Sequence, residues 1–156
     1  MGNMKQLHIL NTRDAHAIIE KLEEQYDCEL SFDFAFLMDS NDKIFVVDRD
    51  VAQIDFAKLR LNSVGLYFGE VTKNGEIRLT MEGSQIIGRF AQKNIVDLDE
   101  EQVRKYFLGE EIAGSFDVSG FVLLRFRGDF FGAAKYKEGK ILNYLPKYHR
   151  TKELIL

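Results

Sequence analysis

A basic and aromatic segment near the C-terminal end contains the residues of this 156-residue sequence that are best suited to chemistry. Residues 132–150 read "GAAKYKEGKILNYLPKYHR" and include Pro146, the single proline of the chain. Lysine and arginine neutralise phosphates and release counterions, and tyrosine and histidine rings stack on unpaired bases. The segment therefore predicts a surface for a polyanion. The alternative is an ordinary solvated strand face, since Lys135 and Lys137 alternate with Tyr136.

The predicted surface extends one strand upstream, where two arginines alternate with apolar residues and share a face. The alternative for these arginines is a solvated edge that prevents aggregation between strands. We predict contact with the polyanion at Arg125, Arg127, Lys135, Lys137, Lys140, Asn143, Tyr144, Lys147, His149 and Arg150. Asn143 is a candidate to read a base edge or a 2′-hydroxyl group.

Pro146 predicts the direction of the end of this segment. Proline restricts its own φ and biases the preceding residue, Leu145, to an extended conformation. We therefore expect residues 147–150 to leave the domain as an arm in a set direction. Ile141, Leu142 and Leu145 are predicted to lie in the core.

No other cluster in the sequence predicts catalysis or a cofactor. Asp39, Asn41 and Asp42 are spaced like the start of a calcium loop, but the glycine and the final glutamate of such a loop are missing. The three histidines are scattered, and no phosphate-binding glycine loop or nucleophile elbow is present. We expect no metal, no cofactor and no enzymatic activity.

The composition, with 46% hydrophobic and 29% charged residues, is typical of a folded domain protein. A single cysteine, Cys28, excludes an internal disulfide and suits a reducing compartment. No apolar stretch is long enough for a membrane helix or a signal peptide. These features predict a cytoplasmic protein without membrane association.

The charge is distributed unevenly along the chain. Residues 1–119 contain 13 basic and 22 acidic side chains, whereas residues 120–156 contain 8 basic and 3 acidic ones. An acidic body with a basic end can hold a polyanion at one place and repel it elsewhere.

The elements that must position these residues fall into two groups. The first is predicted to contain a helix capped by Asn11 or Thr12, a hairpin around "DSND" and a short helix capped by Asp50. A second hairpin has a type I′ turn at Asn74-Gly75, and a helix over residues 82–92 follows it. We predict that residues 1–92 form one α+β domain.

The second group starts near residue 93. It is predicted to contain the strand "NIVDL", the helix "DEEQVRKYFLG" and the strands "GFVLLRF", "FFGAAKY" and "KILNYL", with turns at "RGD" and "KEGK". Short strands at this spacing favour a small barrel. We therefore predict a second domain over residues 93–156.

Residues 130–150 carry a recognisable motif. "FFGAAKYKEGKILNYLPKYHR" resembles the C-terminal PUA-like domain of RsmF-type and NOL/NOP/Sun-type RNA cytosine-5 methyltransferases. The matching positions are Gly132, Ala134, Lys135, Gly139, Asn143, Pro146, Lys147 and Arg150. Upstream, "VGLYFGEVTKNGEIRLTMEG" resembles the end of the N-terminal domain of ribosome-biogenesis factors of the Nip family, which also place an α/β domain before a PUA domain.

These resemblances imply an α+β protein, in which an N-terminal α/β domain similar to a pre-PUA domain precedes a PUA-like pseudo-barrel without a methyltransferase domain. The implied function is binding of rRNA or tRNA, as an accessory protein of ribosome biogenesis or RNA modification. The implied partners are ribosome-assembly or RNA-methyltransferase proteins. The alternative is an adaptor whose acidic N-terminal domain docks on such a partner.

Overall fold

The computed structural model describes residues 7–49 and 65–156, which form two five-stranded sheets. The first sheet contains β1 (His8–Ile9), β2 (Phe34–Met38), β3 (Lys43–Asp48), β4 (Leu66–Val71) and β5 (Ile77–Leu79), antiparallel and in chain order. The second sheet contains β6 (Ile95–Asp97), β7 (Ile112–Ala113), β8 (Gly120–Phe126), β9 (Asp129–Lys137) and β10 (Lys140–Leu142). Its order is β6-β8-β9-β10-β7, and only the β6–β8 pair is parallel.

Helices complete this architecture. The described residues contain α1 (Thr12–Tyr26), α2 (Met81–Gly88), α3 (Glu100–Phe107) and a 3-10 helix (Lys147–His149). The α+β class is therefore confirmed, with a second sheet that curls into a PUA-like pseudo-barrel. Within the described ranges, no helix combines the length and the apolar composition needed to cross a membrane.

The first helix follows the sequence prediction. It begins at Thr12 because the side chain of Asn11 accepts a hydrogen bond from the amide of Asp14 at 2.8 Å. Its buried stripe includes Leu22 and Tyr26, and the chain leaves the helix at Asp27, whose φ is 49°. The short helix predicted to be capped by Asp50 lies outside the described residues.

Asp39, Asn41 and Asp42 lie at the turn between β2 and β3, where Asp39 has a structural role. Oδ1 of Asp39, which is buried, accepts hydrogen bonds from the amides of Asn41 (2.8 Å) and Lys43 (3.0 Å). This carboxylate therefore holds the hairpin turn together, as aspartate side chains do in tight turns.

The β4–β5 connection differs from the predicted type I′ turn. Of the two predicted turn residues, only Gly75 has a positive φ, at 80°. The amide of Gly75 donates to the carbonyl of Thr72 (2.9 Å), and the amide of Thr72 donates to the carbonyl of Glu76 (2.8 Å). The loop therefore contains three residues, and a loop of that length needs a left-handed residue at its last position alone.

Two other hairpins have the geometry predicted for that turn. Arg127 and Gly128 join β8 to β9 with φ values of 49° and 87°, and Glu138 and Gly139 join β9 to β10 with φ values of 53° and 76°. Both central residues are left-handed, as in type I′ turns. The register of the strands therefore makes Arg127 and Glu138 adopt the left-handed conformation. In the β4–β5 loop, Gly75 is the turn residue with this conformation.

Helix α2 is shorter than predicted. It begins at Met81 because Oγ1 of Thr80 accepts a hydrogen bond from the amide of Gly83 at 3.0 Å. It ends at Gly88 instead of residue 92 because the amides of Gln92 and Lys93 both donate to the carbonyl of Tyr26. Those bonds turn the chain toward the end of α1.

Strands β8 and β9 join the two sheets because both of their faces are buried. Leu123 and Ala133 belong to the same apolar core as residues of α1, α2 and the first sheet. Val122, Leu124 and Ala134 belong to a second core beneath α3. The apolar run in β8 reflects this double burial. The predicted boundary at residue 93 stays a prediction, and the first core extends across it.

Helix α3 closes the second core. Asp99 forms a capping box with Gln102, with hydrogen bonds of 2.8 and 2.9 Å in the two directions. Val103 and Tyr106 are buried, and Gly109 follows the helix with a φ of 89°.

We predict that Gly88→Ala destabilises the junction between the sheets. A Cβ atom at this position would overlap the ring of Phe130 on β9. The free energy of unfolding should fall by about 1–3 kcal/mol, as expected for overpacking. Urea titration measures this change. Gln85→Ala, at an exposed position of the same helix, is the control. Equal stability of the two variants would contradict tight packing at the junction.

Candidate nucleic-acid interface

The β9–β10 hairpin places three predicted lysines on one face of the second sheet. Lys137 lies directly opposite Lys140, and Lys135 lies opposite Leu142. Opposed and alternate residues of an antiparallel pair share a face. Leu142 is consequently half-buried on the lysine face and not in the core as predicted, whereas Ile141 points inward and is buried.

Four of the predicted cations form ion pairs with carboxylates. The pairs are Arg125–Asp97 (2.7 Å), Arg127–Glu100 (3.6 Å), Lys135–Glu76 (3.7 Å) and Lys140–Glu111 (3.9 Å). The three longer pairs are partly exposed and are each worth about 0–1 kcal/mol. A stronger anion can displace such carboxylates.

The pair of Arg125 with Asp97 is more tightly built. Nε and Nη2 of Arg125 donate to the two carboxylate oxygens of Asp97 at 2.7 and 2.8 Å. These hydrogen bonds lower the pKa of Asp97 below its usual range and raise the pKa of Arg125. The guanidinium also lies 5.5 Å from the ring centre of Phe130. This pair joins β6 to β8 and leaves Arg125 less free to bind a phosphate.

Two of the predicted cations differ from the others in their surroundings. Lys137 and Lys147 are exposed, and within the described part of the chain neither ammonium group forms an ion pair or a hydrogen bond. Lys137 precedes the left-handed turn at Glu138, and Lys147 begins the 3-10 helix.

Asn143 holds the backbone together at the base of this region. Its Nδ2 donates to the carbonyls of Tyr106 (2.8 Å) and Glu110 (2.9 Å), and its Oδ1 accepts from the amide of Leu145 (2.9 Å). The side chain therefore connects β10 to the end of α3, and three of its hydrogen-bonding positions are used within the protein. Its reading of a base or a 2′-hydroxyl stays a prediction.

The segment after Pro146 is a tied turn and not a projecting arm. Nε of Arg150 donates to the carbonyl of Leu145 at 3.2 Å, and its side chain packs over Gly109, where a Cβ would lie 2.6 Å from that nitrogen. The amide of Thr151 then donates to the carbonyl of Phe107 at 2.8 Å. The prediction that residues 147–150 leave the domain as an arm is thus wrong, because hydrogen bonds return the chain to the end of α3.

Tyr144, Tyr148 and His149 line a cleft between the two sheets. The cleft has a volume of about 380 Å³, and Arg78 and Tyr67 contribute to its opposite wall. Tyr106 lies beneath it, where burial raises the pKa of that tyrosine to about 12.

A row of two aromatic rings with a cation at each end connects the lysine face to this cleft. Nζ of Lys135 lies 5.3 Å from the ring centre of Phe121, whose ring centre is 6.4 Å from that of Tyr144. The guanidinium of Arg78 lies 4.6 Å from the ring centre of Tyr144. We call Lys135, Phe121, Tyr144 and Arg78 the cation–aromatic strip.

Sequence reasoning missed the residues that the N-terminal half contributes. Arg78 stands between the buried residues Ile77 and Leu79 in β5, so its alternation places it on the other face of that strand. It also forms an ion pair with Glu70 on the neighbouring strand. The alternation was visible in the sequence, but nothing in it indicates that this face meets Tyr144.

Comparison with known proteins identifies the class of the C-terminal half. Residues 93–151 match the family model described as the PUA domain of methyltransferase RsmF. These residues include α3, the second sheet and the 3-10 helix, so the chain contains a PUA domain similar to that of RsmF. The resemblance predicted for the C-terminal motif is confirmed, and the resemblance of the β4–β5 hairpin to Nip factors stays a prediction.

Similar proteins carry the name ribosomal RNA small subunit methyltransferase F. The protein of Vibrio vulnificus strain YJ016 is 28% identical over 132 residues, which are 84% of this chain and 27% of the relative. The protein of Aeromonas salmonicida is 28% identical over 112 residues, or 71% of this chain and 23% of the relative. The chain thus spans about a quarter of the length of these relatives, and the alignments extend beyond the PUA domain.

We predict that Asn143→Asp lowers the free energy of unfolding by about 1–3 kcal/mol at pH 7, since a carboxylate cannot donate to the two carbonyls. Because burial beside carbonyl oxygens raises the pKa of the new carboxyl in the folded state, the loss should be smaller near pH 4, where the group is protonated. Urea titration at both pH values checks this expectation. The control is Asn74→Asp, in the exposed β4–β5 loop; an equal effect there would contradict the structural role of Asn143.

Proposed function

We propose that this protein binds RNA through its PUA domain, as an accessory protein in the modification or processing of ribosomal RNA. The observation that carries the proposal is the group of cations around the cation–aromatic strip: the partly exposed Lys135 and Arg78 at its two ends, and Lys137 and Lys140 on the same sheet face as Lys135. Within the strip the ring of Phe121 is buried and Arg78 covers the ring of Tyr144, so the strip supplies positive charge for phosphates.

The choice of ribosomal RNA rests on the relatives, whose names describe methyltransferases of small-subunit rRNA. The part of these relatives that the chain matches includes the PUA domain, which fits a role in RNA recognition. Transfer RNA is the second substrate class that the same chemistry admits. We place this activity in the cytoplasm.

The carboxylates near the predicted cations are compatible with this proposal. Glu76 and Glu111 contact Lys135 and Lys140 at 3.7 and 3.9 Å, distances typical of weak surface pairs. A phosphate can replace either carboxylate at little cost. Lys137 and Lys140 are also like charges in directly opposed positions, an arrangement that a bound anion stabilises.

A second candidate function is protein binding by the acidic N-terminal half. Asp14, Glu20, Glu24 and Asp27 are all exposed on α1 or at its end. Such a face complements a basic partner, for example a ribosomal protein or an RNA methyltransferase. Co-purification that survives nuclease treatment, and that Glu20→Lys/Glu24→Lys abolishes, would favour this function.

We predict that Lys137→Glu/Lys147→Glu weakens RNA binding. Both side chains are exposed and make no ion pair or hydrogen bond to residues that the structure describes, whereas Arg150 has internal contacts, so this pair should retain the fold. Affinity for a structured rRNA hairpin should fall at least about tenfold at low salt, and the slope of log K against log salt should decrease by about 1–2. Fluorescence anisotropy between about 50 and 200 mM salt measures both quantities.

The control is Arg13→Glu/Arg89→Glu, which changes the net charge equally at two exposed positions, on α1 and at the end of α2. It should retain most of the affinity. If the wild-type protein bound no RNA at about 50 mM salt, the proposed function would be wrong. Equal losses of RNA affinity in the two double variants would indicate a general effect of net charge. They would contradict the assignment of RNA binding to the surface with Lys137 and Lys147.

A further inference from the structure

The cleft between the sheets has properties that a phosphate-binding surface alone does not need. Its volume of about 380 Å³ is within the range of about 300–1,000 Å³ that is typical of pockets for small ligands. It lies at the junction of two structural units, where such pockets are frequent. One wall comes from β4, β5 and α2, and the other comes from the PUA domain.

The lip of the cleft presents an open aromatic ring. Tyr148 is 83% exposed, although tyrosine rings are usually at least half buried, and its ring centre is 4.4 Å from that of His149. The 3-10 helix that carries both rings is fixed on its two sides by Asn143 and Thr151. An exposed ring on a fixed turn is ready to stack on a planar ligand at small entropic cost.

Residues of the opposite wall are also held in place before a ligand binds. The ion pair with Glu70 holds Arg78, whose guanidinium covers the ring of Tyr144. Burial raises the pKa of Tyr67, with Arg78 acting in the opposite direction and the neighbouring Tyr148 adding to the increase. Tyr67, Arg78 and Tyr148 therefore converge at the entrance from both halves of the chain.

Glu82 indicates which part of a nucleotide enters. It lines the cleft in the first turn of α2, and among the described residues its carboxylate has no ion-pair or hydrogen-bond partner. A carboxylate repels phosphate but accepts hydrogen bonds from N–H groups. At its own position in the cleft, Glu82 therefore disfavours a phosphate and favours the edge of a base that carries N–H donors.

We infer that the cleft receives one unstacked nucleobase from a loop or an end of the RNA, stacked on Tyr148 with its N–H edge toward Glu82. This inference rests on the proposed function, since it assigns the flanking phosphates to the cation–aromatic strip. It adds a preference that the strip alone does not produce: single-stranded segments should bind more tightly than fully paired RNA.

The test compares Tyr148→Ala with Tyr148→Phe on two probes, an RNA hairpin with a single-stranded loop and a fully paired RNA duplex with the same number of phosphates. Because Tyr148 is exposed, both variants should fold normally. Stacking of one base is worth about 1–3 kcal/mol, so Tyr148→Ala should weaken hairpin binding about fivefold to hundredfold. Tyr148→Phe should retain hairpin affinity, and duplex affinity and salt slopes should stay unchanged in both variants.

The outcomes separate this inference from the proposed function. If the wild-type protein binds neither probe, the proposed function fails. If it binds both probes with the expected salt dependence, but Tyr148→Ala changes neither affinity or lowers both equally, RNA binding stands and the base-binding cleft is wrong. If Tyr148→Phe loses as much hairpin affinity as Tyr148→Ala, stacking is not the interaction and the inference is also overturned.

Discussion

Burial of both faces of the β8–β9 pair is the constraint on which the rest of the molecule depends. One face, with Leu123 and Ala133, completes the core beneath the first sheet, and the other face encloses the PUA core. Interiors packed at crystal-like density do not deform continuously, so the two sheets have a set relation to each other. Helix α2 approaches closely because Gly83 and Gly88 have no side chain where Phe68 and Phe130 lie. The cleft and the cation–aromatic strip are consequences of this packing.

The motif that carries the resemblance to RsmF is mainly a structural one. A Cβ at Gly132 would lie 2.8 Å from the hydroxyl oxygen of Tyr106, and Gly139 has a positive φ. Asn143 joins β10 to the end of α3 through three hydrogen bonds, and Arg150 packs over Gly109. Such a motif identifies the domain, whereas the proposed RNA contacts come from side chains that this frame carries, and the fold by itself does not specify a ligand.

Local charge, and not net charge, distinguishes the proposed surface. The whole chain has a formal charge of −4, and several predicted cations contact carboxylates. Long-range attraction of RNA is therefore weak, and the proposed binding depends on Lys137 and Lys147 and on cations that can exchange a carboxylate for a phosphate. The tight Arg125–Asp97 pair is an exception, because its two hydrogen bonds fix both side chains between β6 and β8.

Features that depend on near neighbours along the chain could be predicted from the residues alone: the Asn11 cap of α1, the strand alternation, the α+β class and the C-terminal PUA-like domain. Sequence reasoning misplaced the type I′ turns and predicted a projecting arm, because strand register and the return of residues 147–151 to α3 involve distant partners. Only the tertiary structure brought Arg78 over Tyr144 and Glu76 to Lys135. Periodicity specifies which face a side chain occupies, but the packing of two sheets decides which faces meet.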